Sequence, residues 1–114
     1  MEQARSTSRT DRIRQLNDAH RANIPASTVF ITSGIASLTP EAQHAIIHAV
    51  RTFDAFTLDN DPWKEHDFGS FKFDGMTIYW KFDYYDLDGM HGAEDSSNPT
   101  VTRRVLTILL ADEY

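Results

Sequence analysis

The stretch DNDPWKEHDFGSFKFDGMTIYWKFDYY, residues 59–85, joins a proline-containing loop to two alternating apolar and polar runs separated by Asp74-Gly75. An Asp-Gly pair between such runs predicts a two-residue type I′ hairpin, whose central residues both need positive φ. That turn sets the register: Phe73 opposite Met76, Phe71 opposite Ile78, Gly69 opposite Trp80 and Asp67 opposite Phe82. Because side chains alternate across a strand, Phe71, Phe73, Met76, Ile78, Trp80 and Phe82 then share one surface, the core face. The opposite surface pairs Lys72 with Thr77, Ser70 with Tyr79, Phe68 with Lys81 and His66 with Asp83. The last pair makes an imidazole and a carboxylate direct cross-strand neighbours.

Outward from the hairpin, TVTRRVLTILLADEY reads as a strand over residues 100–110 with apolar residues on both faces, hence central or doubly covered, and with Arg103 and Arg104 at its less buried start. Between the strands lies the polar loop Asp86 to Pro99, longer than a tight hairpin needs. Upstream, Thr39-Pro40-Glu41 opens a helix with a capping hydroxyl, proline at the first position and an acid in the first turn. This helix runs to about Phe53, with Ala42, Ala45, Ile46, Ala49, Val50 and Phe53 on one face. Thr28 to Thr32 is β-branched and short, a strand interrupted by Ser33-Gly34; an exposed edge there would pair in a homodimer. Before Pro25, Thr10-Asp11 marks a helix start, and Ile13, Leu16, Asn17 and His20 form a thin docking stripe with the arginines outside. The result is an α+β fold: two helices packed on one face of an antiparallel sheet of three to four strands, ending in a C-terminal β-meander. Residues 1–9 form a tail and residues 10–114 a single domain.

A chain of 114 residues is long enough for one core without staples. It has no cysteine, so disulfides and thiolate metal sites are excluded; no apolar run would span a membrane, and the expectation is a cytoplasmic protein without cofactor. The net charge of −6 is unevenly spread. Residues 1–23 carry +2, whereas residues 54–95 hold eleven acids against Lys64, Lys72 and Lys81. Such a field repels a phosphate backbone and attracts a basic protein surface, which argues against direct nucleic-acid contact.

The candidate residues follow from these placements. Asp59, Asn60, Asp61, Trp63, Glu65 and Asp67, at the mouth of the hairpin, are candidates for binding a basic partner. An alternative, enzymatic reading takes His66 and Asp83 as an oriented acid–base pair assisted by Lys81 or Tyr85, for water activation or RNA cleavage through the 2′-hydroxyl. No hydroxyl or thiol nucleophile stands beside them, and the sequence leans away from catalysis. The helix-then-meander order also resembles the small bacterial ribonuclease toxins of the barnase and RelE type, whose RNA-binding faces are basic where this one is acidic. His44 and His48 stand at metal-chelating spacing on the second helix, but Ala45 occupies the place where HExxH needs its glutamate. Asp86, Asp88 and Asp95, with Glu94, offer a weak hard-cation set; Tyr84 stands where an EF-hand requires its first aspartate.

On IRQLNDAHR, FTLDNDPWKEHDFGSF, IYWKFDYYD and NPTVTRRVLTILLADEY, the chain from Ile13 to Tyr114 resembles a family of short alphaproteobacterial and plasmid-borne proteins classed as a domain of unknown function. The resemblance implies that Asn60, Asp61, Pro62, Glu65, His66, Asp67, Lys81, Asp83 and Tyr84 belong to its signature. It brings no activity, and implies only a setting on mobile elements, in anti-defence or plasmid maintenance.

Overall fold

The structure is a computed structural model and describes residues 8–24 and 29–114. Its elements are α1 (Arg9–Asn23), β1 (Val29–Ile31), a single-turn α2 (Ser33–Ala36), α3 (Pro40–Thr52), β2 (Phe68–Phe73), β3 (Met76–Tyr85), β4 (Arg103–Leu110) and a closing 3-10 turn (Ala111–Glu113). Pro25, Thr28 and most of the expected tail lie outside the described residues. Of that tail, Ser8 caps α1 by accepting from the Asp11 amide at 3.0 Å, so the helix begins ahead of the expected Thr10 cap.

The hairpin register follows the turn. Asp74 and Gly75 have φ of 51° and 79°, and β2 pairs antiparallel with β3 from Phe73↔Met76 to Phe68↔Lys81 as read from the sequence. The sheet order is β1-β4-β3-β2, which places β4 centrally. β4 is antiparallel to β3 but parallel to β1, so the sheet is mixed where an antiparallel one was expected. The crossover through α2 and α3 separates β1 from the meander, which frees it to run alongside β4 in the parallel sense.

One face of the sheet carries the core: Ile78, Trp80, Phe82, Leu106 and Ile108, packed with Ile46 and Val50 of α3 and Ile35 of α2. α1 docks on the same side, with His20 edge-on to Phe82 at 5.4 Å and Asn17 bonded to Tyr84. Within the expected apolar face of α3, Ala45 is exposed and Ile46 and Val50 are buried. Gly34, a residue type that suits a bulge, a turn or a close backbone approach, lies within α2, and its amide donates to Glu113 at 2.9 Å. An added Cβ there would meet Glu113 and Leu110 at 2.7 Å. The same carboxylate accepts from the Thr32 hydroxyl and the Leu110 amide, joining β1, α2 and the end of β4; the Thr32 bond, first among these, holds the Glu113 carboxyl below the usual glutamate range.

Two arginines depart from the expectation that charge stays outside. Arg21 and Arg104 are only 5% and 7% exposed. Arg21 Nη1 donates to the carbonyls of Val50 and Phe53, at 2.7 and 2.8 Å, and so satisfies the open C-terminus of α3. Arg104 Nε donates to Asn17 Oδ1 and its Nη2 to the Ser96 carbonyl, both at 2.6 Å. A guanidinium offers several donors in a fixed fork, so it can be buried where carbonyl oxygens converge.

Candidate functional site

Residues 54–67 connect α3 to β2 without regular structure, yet hydrogen bonds within the loop and from α1 hold their backbone at several points. Phe53 and Phe56 pack edge-on to each other at 5.1 Å and to Trp80 at 5.5 and 6.1 Å, which roots the loop in the core. Asn60 then closes a turn on itself. Its Oδ1 accepts from the Thr57 amide at 2.8 Å, its Nδ2 donates to the Ala55 carbonyl at 2.9 Å, and its own amide donates to Thr57 Oγ1 at 3.2 Å. These are the local bonds that suit Asn to turns.

Asp61 organises the next turn. Its carbonyl accepts from the Lys64 amide and its Oδ1 accepts from the His66 amide at 3.1 Å. Lys64 and His66 take φ of 59° and 54°, a left-handed conformation that non-glycine residues adopt only when their surroundings hold them there. Helix α1 supplies that hold. Arg14 Nη1 donates to the Lys64 carbonyl at 2.9 Å and Asn17 Nδ2 to the Glu65 carbonyl at 3.0 Å. Asn17 also donates to the Tyr84 hydroxyl and accepts from Arg104, so both hydrogens and the oxygen of this fully buried amide have partners. Burial pushes the Tyr84 phenol up to about 12.

The same turn redirects His66. Its Nδ1 lies 2.8 Å from Asp18 Oδ1, its Nε2 lies 3.6 Å from Asp61 Oδ2, and its ring stacks on Phe56 at 3.6 Å and 4°. The expected His66–Asp83 pair does not form. The Phe82 amide still donates to the Asp67 carbonyl at 2.9 Å, but the capture of the His66 amide by Asp61 and its positive φ end the extended register one residue short. Asp83 instead accepts from Lys81 Nζ at 2.6 Å on the open face of the sheet, where Tyr85 also stands. The four residues of the enzymatic alternative are therefore divided between two places.

Of the binding candidates, Asp59 and Trp63 point outward, and Leu58, which sequence reasoning missed, joins them; Trp63 is 75% and Leu58 71% exposed. Asn60 is spent on the turn. Asp61 is 4% exposed and serves as an internal cap rather than a contact residue. Glu65 and Asp67 are half-buried, and burial raises both carboxyls above the usual range. The part-buried Asp18–His66 contact spans 48 residues, so no local periodicity announces it.

Residues 31–113 match the family described as Protein of unknown function (DUF3768). The chain belongs to that family. Neither the curated proteins nor the solved structures compared with it contain a match. The DUF3768 match takes in the loop, the hairpin and β4, whereas α1, which braces the loop with Arg14, Asn17 and Asp18, precedes it.

Elsewhere in this DUF3768 chain, Asp86, Asp88 and His91 bring ligand-type atoms within 4.8 Å of one another. Asp95 does not join them: it accepts from the Ser97 hydroxyl and amide and from Arg9, and the Ser97 bonds hold its carboxyl below the usual range. His44 and His48 are exposed on α3, and no third ligand gathers with them among the described residues. No helix of the described residues is long and apolar enough to cross a membrane.

Proposed function

We propose that this protein is a small, non-enzymatic interaction protein that docks the loop bearing Leu58, Asp59 and Trp63, with the acids of the neighbouring hairpin, on a basic protein surface in the cytoplasm. The observation that carries this reading is Trp63, three-quarters exposed on a loop whose backbone is fixed from both sides. An exposed tryptophan on a preorganised loop suits a binding anchor, because the ordering cost of association has already been met in folding. The acidic balance of residues 54–95 selects a basic partner and steers its approach. Separation of His66 from Lys81, Asp83 and Tyr85 weighs against the hydrolase alternative. The family resemblance suggests anti-defence or plasmid maintenance as the setting, with a basic partner that itself contacts nucleic acid.

The test is capture from a lysate of the native host on immobilised protein, at low and high salt, with Trp63→Ala in parallel. The wild type is expected to retain a basic protein at low salt and release it as salt rises. Removing a central tryptophan typically costs 2 kcal/mol or more, so Trp63→Ala should weaken that partner's binding by about thirtyfold or more. Equal retention by Trp63→Ala, or retention insensitive to salt, contradicts the reading.

A further inference from the structure

Strand β2 forms one edge of the sheet, and its outer side meets no other strand among the described residues. The Phe82 amide donates to the Asp67 carbonyl, so residues 67, 69, 71 and 73 bond to β3, and the N–H and C=O of Phe68, Ser70 and Lys72 point away from it. Ser70 and Lys72 are exposed. We propose that this edge pairs with the same edge of a second copy of the chain, antiparallel and centred on Ser70, joining the two sheets into one.

Three observations select that partner. First, the edge is complementary to itself. About a two-fold axis at Ser70, Ser70 meets Ser70, Phe68 meets Lys72 and Gly69 meets Phe71 of the second copy. Phe68, Ser70 and Lys72 then each exchange both outward backbone groups. Centring on Gly69 or Phe71 instead sets Lys72 against His66 or Phe68 against Asp74, residues whose positive φ ends the ladder. Second, the side chains fit the register. Gly69 has no side chain to crowd the half-buried Phe71 of the second copy at the close, non-hydrogen-bonded position. A lysine blunts an edge when it meets its like. Here Lys72 stands opposite Phe68, whose ring packs on Tyr79 at 5.1 Å. The two Lys72 side chains lie about 14 Å apart, four residues along the strand and beyond the Debye length of about 8 Å at physiological salt. Third, Phe68 to Phe73 carries no acid in a chain of net charge −6, and the flanking Asp67 and Asp74 fall outside the residues that exchange bonds. The opposite edge, β1, spans only three residues and offers a shorter ladder. The pairing leaves the two 54–67 loops beyond opposite ends of the joined strands, and it forms whether or not those loops dock on a partner.

Sedimentation equilibrium of the full chain, with amide exchange followed by NMR, tests it. A monomer–dimer equilibrium is expected, with the Phe68, Ser70 and Lys72 amides gaining protection as concentration rises. Because both copies are net negative, added salt should tighten the dimer, the reverse of its effect on docking. Ser70→Pro keeps the bonds from β2 to β3, since the Ser70 N–H points outward, but removes the central bonds of the dimer and should weaken it about tenfold or more. Ser70→Lys, an exposed substitution that sets like charges directly opposite each other, should weaken it about fivefold and decides the matter if proline disturbs the strand. The proposal is overturned if the chain stays monomeric up to about 1 mM, if the folded variants dimerise as the wild type does, or if the amides that gain protection lie on another surface.

Discussion

Replacing Trp80 with alanine is expected to lower the unfolding free energy by about 3–5 kcal/mol, the range for removing a buried large aromatic. Trp80 is fully buried and meets Phe53, Phe56 and Phe82 edge-on. The Arg21 guanidinium lies over its ring at 4.8 Å, and Gly69 leaves room for it on β2, where an added Cβ would come within 2.2 Å of the indole nitrogen. The truncation opens a cavity at the point where α1, α3, the loop and the sheet meet, which the surrounding rings cannot refill. Trp80→Phe should cost clearly less, because it keeps a ring and removes an indole N–H that is buried without a partner. Denaturant unfolding of both variants, with the slope checked against the wild type, measures the difference.

The second large effect is expected at Arg104. Arg104→Met keeps the length of the side chain but leaves Asn17 Oδ1 and the Ser96 carbonyl without their donor and removes the guanidinium from the Tyr84 ring, 5.0 Å away. With hydrogen bonds to charged groups at about 1.5–3 kcal/mol each, the loss should reach about 3–5 kcal/mol. Arg103, one residue earlier and exposed, is the control: Arg103→Met should change stability by no more than about 0.5 kcal/mol. Because Asn17 also holds the Glu65 carbonyl, Arg104→Met should loosen the docking loop from a distance.

The contrast between these arginines also marks how far the sequence could be read. Asp74-Gly75 determined the hairpin register because only a few turns fit two residues, and that register held to Phe68. It failed at His66, whose partners Asp18 and Asp61 come from a helix and a turn that alternation along a strand cannot see. The thin stripe of α1, Asn17 included, correctly required a docked helix, but Arg21, read with the arginines on the outer side, is buried beside Asn17. They are buried because they satisfy carbonyls of the loop and of α3, which become neighbours only on folding. The direction of β1 was hidden for a similar reason: three residues carry strand propensity but no sense of the path that follows them. In the site itself, Trp63 and Asp59 were legible as loop residues, whereas the exposure of Trp63 and the inward turn of Asp61 depend on backbone geometry.

The account rests on the loop being fixed before any partner arrives. Native-state hydrogen exchange of the Thr57, Asp61, Lys64 and His66 amides, each bonded within the loop, tests this most directly. Protection of all four by about a hundredfold or more over the unstructured chain, lost at Thr57 in Asn60→Ala and at His66 in Asp61→Ala, is the predicted result. Exchange of these amides at the rate of an unstructured peptide, while the amides of β3 remain protected, would contradict it.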